Sequence, residues 1–267
     1  MKYYVVDVFT DRLFSGNPAG VCLLDSWPAD ETLQNIAAEN NLSETAFLVK
    51  RDGGYSLRWF TPTLEIDLCG HATMGAAFIL FDLAERSARE LRFSTISGVL
   101  TVTRGGDDRL WMDFPAWPVE PAPDYPALAK AFGTDRFETY KAADLMAVLE
   151  SEAEVGRLRP DFEALKKVEA EAGMPDNSFG VIITAPGQDC DFVSRYFAPN
   201  AGVDEDPVTG RSHCLLTPYW SKRLGRPEMT ARQLSRRGGL LWVEDLGERV
   251  KIGGRVKLYL SGDIRVD

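Results

Sequence analysis

Apolar and polar residues alternate in short runs along most of the chain, the period-two pattern of half-buried strands. The runs fall at 3–9, 21–24, 46–49, 55–60, 91–95, 99–103 and 110–114. A second series occupies 179–185, 192–197, 229–233, 240–244, 250–252 and 256–260, the last two reading as a hairpin through Gly253-Gly254. Helical spacing is rarer. Leu33, Ile36 and Ala37 share a face after Asp30, and Phe162, Leu165, Val168 and Ala172 share one after Asp161, each aspartate standing as an N-cap. The run 74–83 is apolar nearly all round, which predicts a buried central helix. Between the two series lie Pro115, Pro118, Pro121, Pro123 and Pro126, too dense for a regular element and read as the connection between two halves.

The halves resemble each other. Trp59-Phe60-Thr61-Pro62 precedes Asp67-Leu68-Cys69-Gly70-His71, and Tyr196-Phe197-Ala198-Pro199 precedes Glu205-Asp206-Pro207-Val208-Thr209-Gly210. Each reads aromatic-Phe-x-Pro, an acidic residue, then glycine. A helical Leu33 stands before the first pattern and Leu165 before the second, and an apolar run follows each glycine. Repeated landmarks in one order predict a duplication. The expected fold is α+β, with two similar lobes at 1–115 and 116–267, each a sheet wrapped around a central helix, and with the last strand completing the first lobe.

Composition narrows the function. The 267 residues carry 30 basic and 40 acidic side chains, a formal net charge of −10, and no basic run, which argues against nucleic acid or an anionic membrane as partner. No apolar stretch approaches the roughly 20 residues of a membrane span. Cys22, Cys69, Cys190 and Cys214 are scattered without a CxxC pair, as expected of reduced thiols in a cytosolic protein. The two histidines, His71 and His213, form no zinc-spaced cluster, so no metal is expected.

Both histidines lie close to the repeated glycines. Gly70 and Gly210 would open helices toward a cleft between the lobes, where free N–H groups and the positive helix end can bind a carboxylate without a lysine. Glu44 lies in Asn40-Asn41-Leu42-Ser43-Glu44-Thr45-Ala46-Phe47, at the mouth of an apolar strand. A partly desolvated carboxylate there suits proton transfer, while a solvated turn residue or a cap fits the pattern slightly better.

These segments, with Ser15-Gly16-Asn17-Pro18-Ala19-Gly20-Val21 and Ala72-Thr73, resemble the PhzF-like (phenazine biosynthesis) isomerase family in order and spacing over essentially the whole chain. The resemblance implies a diaminopimelate-epimerase-like fold, a homodimer, and a cofactor-free isomerase acting on a small unsaturated carboxylic acid. It implies Glu44 as the residue that shuttles the proton, with His71 and Asp206 holding and polarising the substrate. Gly70, Thr209, Gly210, Arg211 and Ser212 become the substrate-binding positions. One departure is visible: the family commonly has serine after Thr-Gly, where this chain has Arg211 and then Ser212. A guanidinium there could grip a second carboxylate or a phosphate, or fill the pocket.

Two rival readings remain at this stage. A two-thiol epimerase would use Cys69, but the duplicated position before Gly210 is Thr209, whose hydroxyl is far too weak an acid. Cys69 then reads as a small buried residue and Cys214 as helix packing. A protein that only binds small acids on the same scaffold is the second.

Overall fold

The computed structural model describes residues 1–174 and 180–266, and Phe179, placed by sequence at the head of a strand, lies outside them. The chain divides into two compact units, Met1–Asp113 with Lys251–Asp267, and Phe114–Val250. Compared with a boundary near 115 and a second lobe running to 267, the whole C-terminal segment from Lys251 belongs to unit 1, not its last strand alone.

Unit 1 contains, in chain order, β1 (Lys2–Val8), β2 (Asn17–Leu24), α1 (Asp30–Asn40), β3 (Glu44–Arg51), β4 (Gly54–Phe60), β5 (Glu65–Ile66), α2 (Gly70–Leu83), β6 (Glu90–Thr95), β7 (Gly98–Arg104) and most of β8 (Leu110–Pro115). Unit 2 continues with β9 (Glu120–Pro121), α3 (Pro126–Phe132), β10 (Glu138–Lys141), β11 (Leu145–Val148), α4 (Glu152–Arg157), α5 (Phe162–Ala172), β12 (Val181–Pro186), β13 (Phe192–Phe197), α6 (His213–Leu224), β14 (Glu228–Gln233) and β15 (Gly239–Asp245). β16 (Arg249–Gly254) carries the chain back, and β17 (Val256–Asp263) belongs to unit 1.

The pairing pattern occurs twice. In unit 1, β1–β2 is antiparallel, β2–β3 parallel, β3–β4 antiparallel, β4–β6 parallel and β6–β7 antiparallel. In unit 2 the same alternation runs through β10–β11, β11–β12, β12–β13, β13–β14 and β14–β15. The helices occupy matching places as well, α1 and α5 ahead of β3 and β12, and α2 and α6 after β4 and β13. Leu33 and Phe60 share one buried cluster with Phe47 and Tyr3, and Leu165 and Phe197 share another with Leu145 and Val181. The landmarks read from sequence therefore sit in equivalent cores, and the fold is α+β.

α2 is buried on nearly every side, as its apolar composition requires, and packs against β1, β2, β3, β7 and β17, so the sheet of unit 1 wraps around it. α6 lies against β14 and β15, and its Trp220 donates to Thr184 on β12 at 2.9 Å and stacks on Phe192 of β13.

Three local expectations are corrected. Gly253 and Gly254 lie within β16 rather than at a hairpin turn, and the Trp111 and Phe9 rings occupy the space a Cβ would need at these two positions. β17 pairs antiparallel with β1. Asp30 is the first helical residue of α1, whose N-cap is Ala29; its carboxylate pairs with Arg58 at 2.8 Å instead of capping. The proline-rich stretch is not wholly irregular: Pro121 belongs to β9, and Pro126 opens α3, where its missing N–H costs no helical bond. Among the described residues no helix is long and apolar enough to cross a membrane.

Candidate active site

Unit 1 brings Glu44, His71 and Cys69 together. α1 closes when Asn41 adopts a left-handed backbone, φ 48°, and donates its N–H to Ala37 O at 3.1 Å. Asparagine tolerates that conformation better than most residues, so the chain reverses and β3 starts at Glu44. Glu44 is thus the first residue of a strand rather than part of a solvated turn. Cys69 is the extended N-cap residue of α2, φ −142° and ψ 106°, which puts Gly70 and His71 in the first turn. Thr73 ties that turn by donating its hydroxyl to Cys69 O at 2.6 Å.

The Glu44 carboxylate Oε2 lies 3.1 Å from His71 Nε2, with side-chain exposures of 18% and 9%. Cys69 Sγ lies 3.5 Å from the second ring nitrogen, Nδ1. Burial opposes charge on the imidazole, but the Cys69 and Glu44 side chains outweigh it and hold the His71 pKa well above 6.5. Burial also pushes the Cys69 thiol up. As the leading residues of α2, Gly70 and His71 have no intrahelical acceptor for their N–H groups.

Ligand-type atoms of Glu44, Cys69 and His71 lie within 4.8 Å of one another, a grouping that corrects the expectation of scattered donors. Spacing concealed it because Glu44 arrives from a different strand. The sulfur lies nearest Nδ1 and the carboxylate nearest Nε2; the sulfur contact is a hydrogen bond, whereas Glu44 Oε2 and His71 Nε2 are close without hydrogen-bond alignment.

In unit 2, Asp206, Thr209 and Gln233 form a closed network. The Thr209 hydroxyl donates to the Asp206 carboxylate, and Asp206 N–H donates to Tyr196 O at 3.1 Å. Gln233, buried at the end of β14, accepts the Thr209 N–H at 2.9 Å and donates to Asp206 O at 2.8 Å. Arg195 grips Glu205 through two bonds, 2.6 and 3.0 Å, and donates to Val155 O and Leu158 O at 3.1 and 2.8 Å, which anchors the segment leading into Asp206.

Gly210 does not open α6 as Gly70 opens α2. A tight turn intervenes, in which His213 N–H reaches Gly210 O and Cys214 N–H reaches Arg211 O, both at 3.0 Å. Ser212 is buried and its hydroxyl donates to Thr209 O at 2.8 Å. His213 is fully buried, its Nδ1 2.8 Å from the same carbonyl, and burial pushes its pKa down to about 4. It is a neutral structural ring.

Arg211 has partners of its own in unit 2. Its Nη2 lies 3.5 Å from Oδ1 of Asp144, a carboxylate without exposure that receives the Gly180 N–H at 2.9 Å and the Tyr196 hydroxyl at 3.3 Å. Burial raises the Asp144 pKa despite the guanidinium nearby. The guanidinium stands 5.7 Å above the Trp117 ring. Pro218, lacking an N–H, frees the Cys214 carbonyl, which accepts the Trp117 backbone N–H at 2.9 Å.

Residues 6–262 match the family model described as phenazine biosynthesis-like protein. The chain belongs to that PhzF family. It is 49% identical over 266 residues to an uncharacterized isomerase of Pseudomonas aeruginosa, covering 100% of this chain and 99% of the relative. The crystal structure of a PhzF-family protein from Enterococcus faecalis superposes with a TM-score of 0.93 at 46% identity, covering 99% of each chain. A hydroxyproline epimerase from Agrobacterium vitis shares the fold, with a TM-score of 0.63 at 13% identity over 99% of this chain and 90% of that one. Within this PhzF-family chain, Cys69 as a partner of His71, Gln233 as the brace of Asp206 and Thr209, and Asp144 as the partner of Arg211 escaped the sequence reading. Only Cys69 had a signal, its place two residues before His71.

Proposed function

We propose that this PhzF-family protein is a cofactor-independent isomerase that moves a proton between carbons of a small unsaturated carboxylic acid. The observation that carries the reading is the Glu44 carboxylate held 3.1 Å from His71 Nε2 in a largely buried setting. A carboxylate withdrawn from water can accept a proton from carbon and return it to a neighbouring carbon on the same face. A charged His71 beside it supplies a hydrogen-bond donor where negative charge develops on the conjugated acid. The free N–H groups at the start of α2 offer a place for the substrate carboxylate. A two-thiol epimerase is less well supported, because the Cys69 thiol is raised by burial and the Thr209 hydroxyl is already committed to Asp206.

The test is deuterium uptake from D₂O across a panel of unsaturated and amino-substituted carboxylic acids. Glu44→Gln should still bind whichever acid exchanges, while exchange falls by about 10²–10⁴-fold. Exchange at the wild-type rate in that variant would remove Glu44 from the reaction and favour a protein that only binds small acids.

A further inference from the structure

Each nitrogen of the His71 imidazole has a side chain close to it. Nε2 lies 3.1 Å from Glu44 and Nδ1 lies 3.5 Å from the Cys69 sulfur. The proposed proton transfer requires the first contact and is silent about the second. Cys69 is buried, 6% exposed, and held by the backbone as the N-cap residue of α2, so its sulfur has a fixed place from which to meet the ring. The titratable groups that act on His71 are Cys69 and Glu44. With the ring charged, both nitrogens are donors: Nδ1–H meets the sulfur of a protonated thiol, a weak but adequate acceptor, while Nε2 stands beside the carboxylate without hydrogen-bond alignment.

We propose that Cys69 is a positioning residue whose sulfur accepts Nδ1–H of His71, fixing the rotation of the ring and keeping Nε2 beside Glu44. The purpose of this contact rests on the proposed function, while its existence does not. The terminal torsion of histidine is broad and roughly two-fold, so packing alone defines the ring plane better than it defines which edge faces Glu44. An acceptor on one side removes that ambiguity, because the flipped ring would set a carbon against the sulfur and leave a buried donor unpaired. Proton carriage by the thiol is not needed, because burial favours its protonated form.

The experiment is ¹⁵N-histidine NMR on the full chain, for the wild type, Cys69→Ser and Cys69→Ala. With two histidines in the sequence, the spectra hold two ring systems. In the wild type His71 should carry protons on both nitrogens at neutral pH. Cys69→Ala should lower its titration midpoint by about one pH unit or more, since an unpaired Nδ1–H disfavours the charged ring. Cys69→Ser should recover most of that shift through its hydroxyl oxygen. In the deuterium-uptake assay the pH profile of Cys69→Ala should move in the same direction, with kcat reduced about tenfold and KM little changed. An unmoved His71 midpoint in Cys69→Ala overturns the proposal, as does a serine variant that behaves like alanine. Should Cys69→Ala fail to fold, the wild-type spectrum decides, because a ring lacking the Nδ1 proton at pH 7 also overturns it. Failure of the Glu44→Gln test would leave these spectra unchanged, so the two readings fall separately.

Discussion

His71 and His213 stand at the start of the two equivalent helices, yet their surroundings push them to opposite protonation states. His213 meets only burial and a backbone carbonyl, and its pKa drops to about 4. His71 is equally enclosed, but the Cys69 and Glu44 side chains reverse the sign. For His213 the unfolded chain binds the extra proton between about pH 6.5 and its lowered folded value, so its contribution is intact above that window and lost as pH falls toward about 4. For His71 the folded chain holds the extra proton, so its contribution is intact below about 6.5 and lost as pH rises through the raised value. Thermal unfolding followed from pH 4 to 9 should therefore show a maximum near pH 6.5 with a limb falling on each side. His213→Gln should flatten the acid limb and His71→Gln the alkaline one; a variant that leaves its limb unchanged refutes the assignment. At this scale His71 stood out by its place beside Gly70, whereas Glu44 was singled out by the family resemblance, since its local pattern suits a solvated turn slightly better. Their contact with each other was not legible, since residues distant in sequence meet only through the pairing of β2 with β3 and the packing of β3 on α2.

The two aspartates that precede helical patterns separate sequence cue from physical cause at the scale of elements. Asp161 accepts the Ala164 N–H at 3.1 Å and caps α5, whereas Asp30 sits one residue too late and reaches out to Arg58. Asp161→Ala should cost about 1 kcal/mol in denaturant unfolding, the usual value of a lost cap, and Asp30→Ala clearly less. Equal losses would show that the N-cap geometry is not what stabilises α5. Long alternating strands were read to within a few residues because one face of each is buried, and period two survives in the sequence. β10 and β11 were missed for the converse reason. β11, Leu145–Val148, is buried throughout, so its four residues are uniformly apolar and carry no period. Gly253-Gly254 misled because paired glycines suit a turn, but here they admit the rings of Trp111 and Phe9 against a strand.

In the whole chain the duplication is not a simple concatenation. After the repeated run of strands in the first half, β9 pairs with β10 in unit 2; after the run in the second half, β17 pairs with β1 in unit 1. Each unit is thereby completed by a segment that follows the other repeat. In unit 1 this segment brings β17 along the whole of β1, buries Ile252 and Val256, and adds a strand against α2. Residues 1–113 alone would leave that edge of β1 without its hydrogen-bond partner and part of α2 uncovered, an arrangement that invites aggregation. The chain ends suggest the remedy, since Met1 and Ile264 exchange backbone hydrogen bonds, 3.2 Å from Met1 N to Ile264 O and 3.0 Å from Ile264 N to Met1 O. A rearranged polypeptide that starts at Lys251, runs through the C-terminus, crosses a short Gly/Ser link to Met1 and stops at Asp113 should contain all of unit 1 without straining a strand. It should unfold in one cooperative transition with a dispersed amide spectrum, and 1–113 made separately should show neither. If 1–113 folds as well as the rearranged chain, β17 is an accessory strand and the exchange between repeats is not what completes the unit.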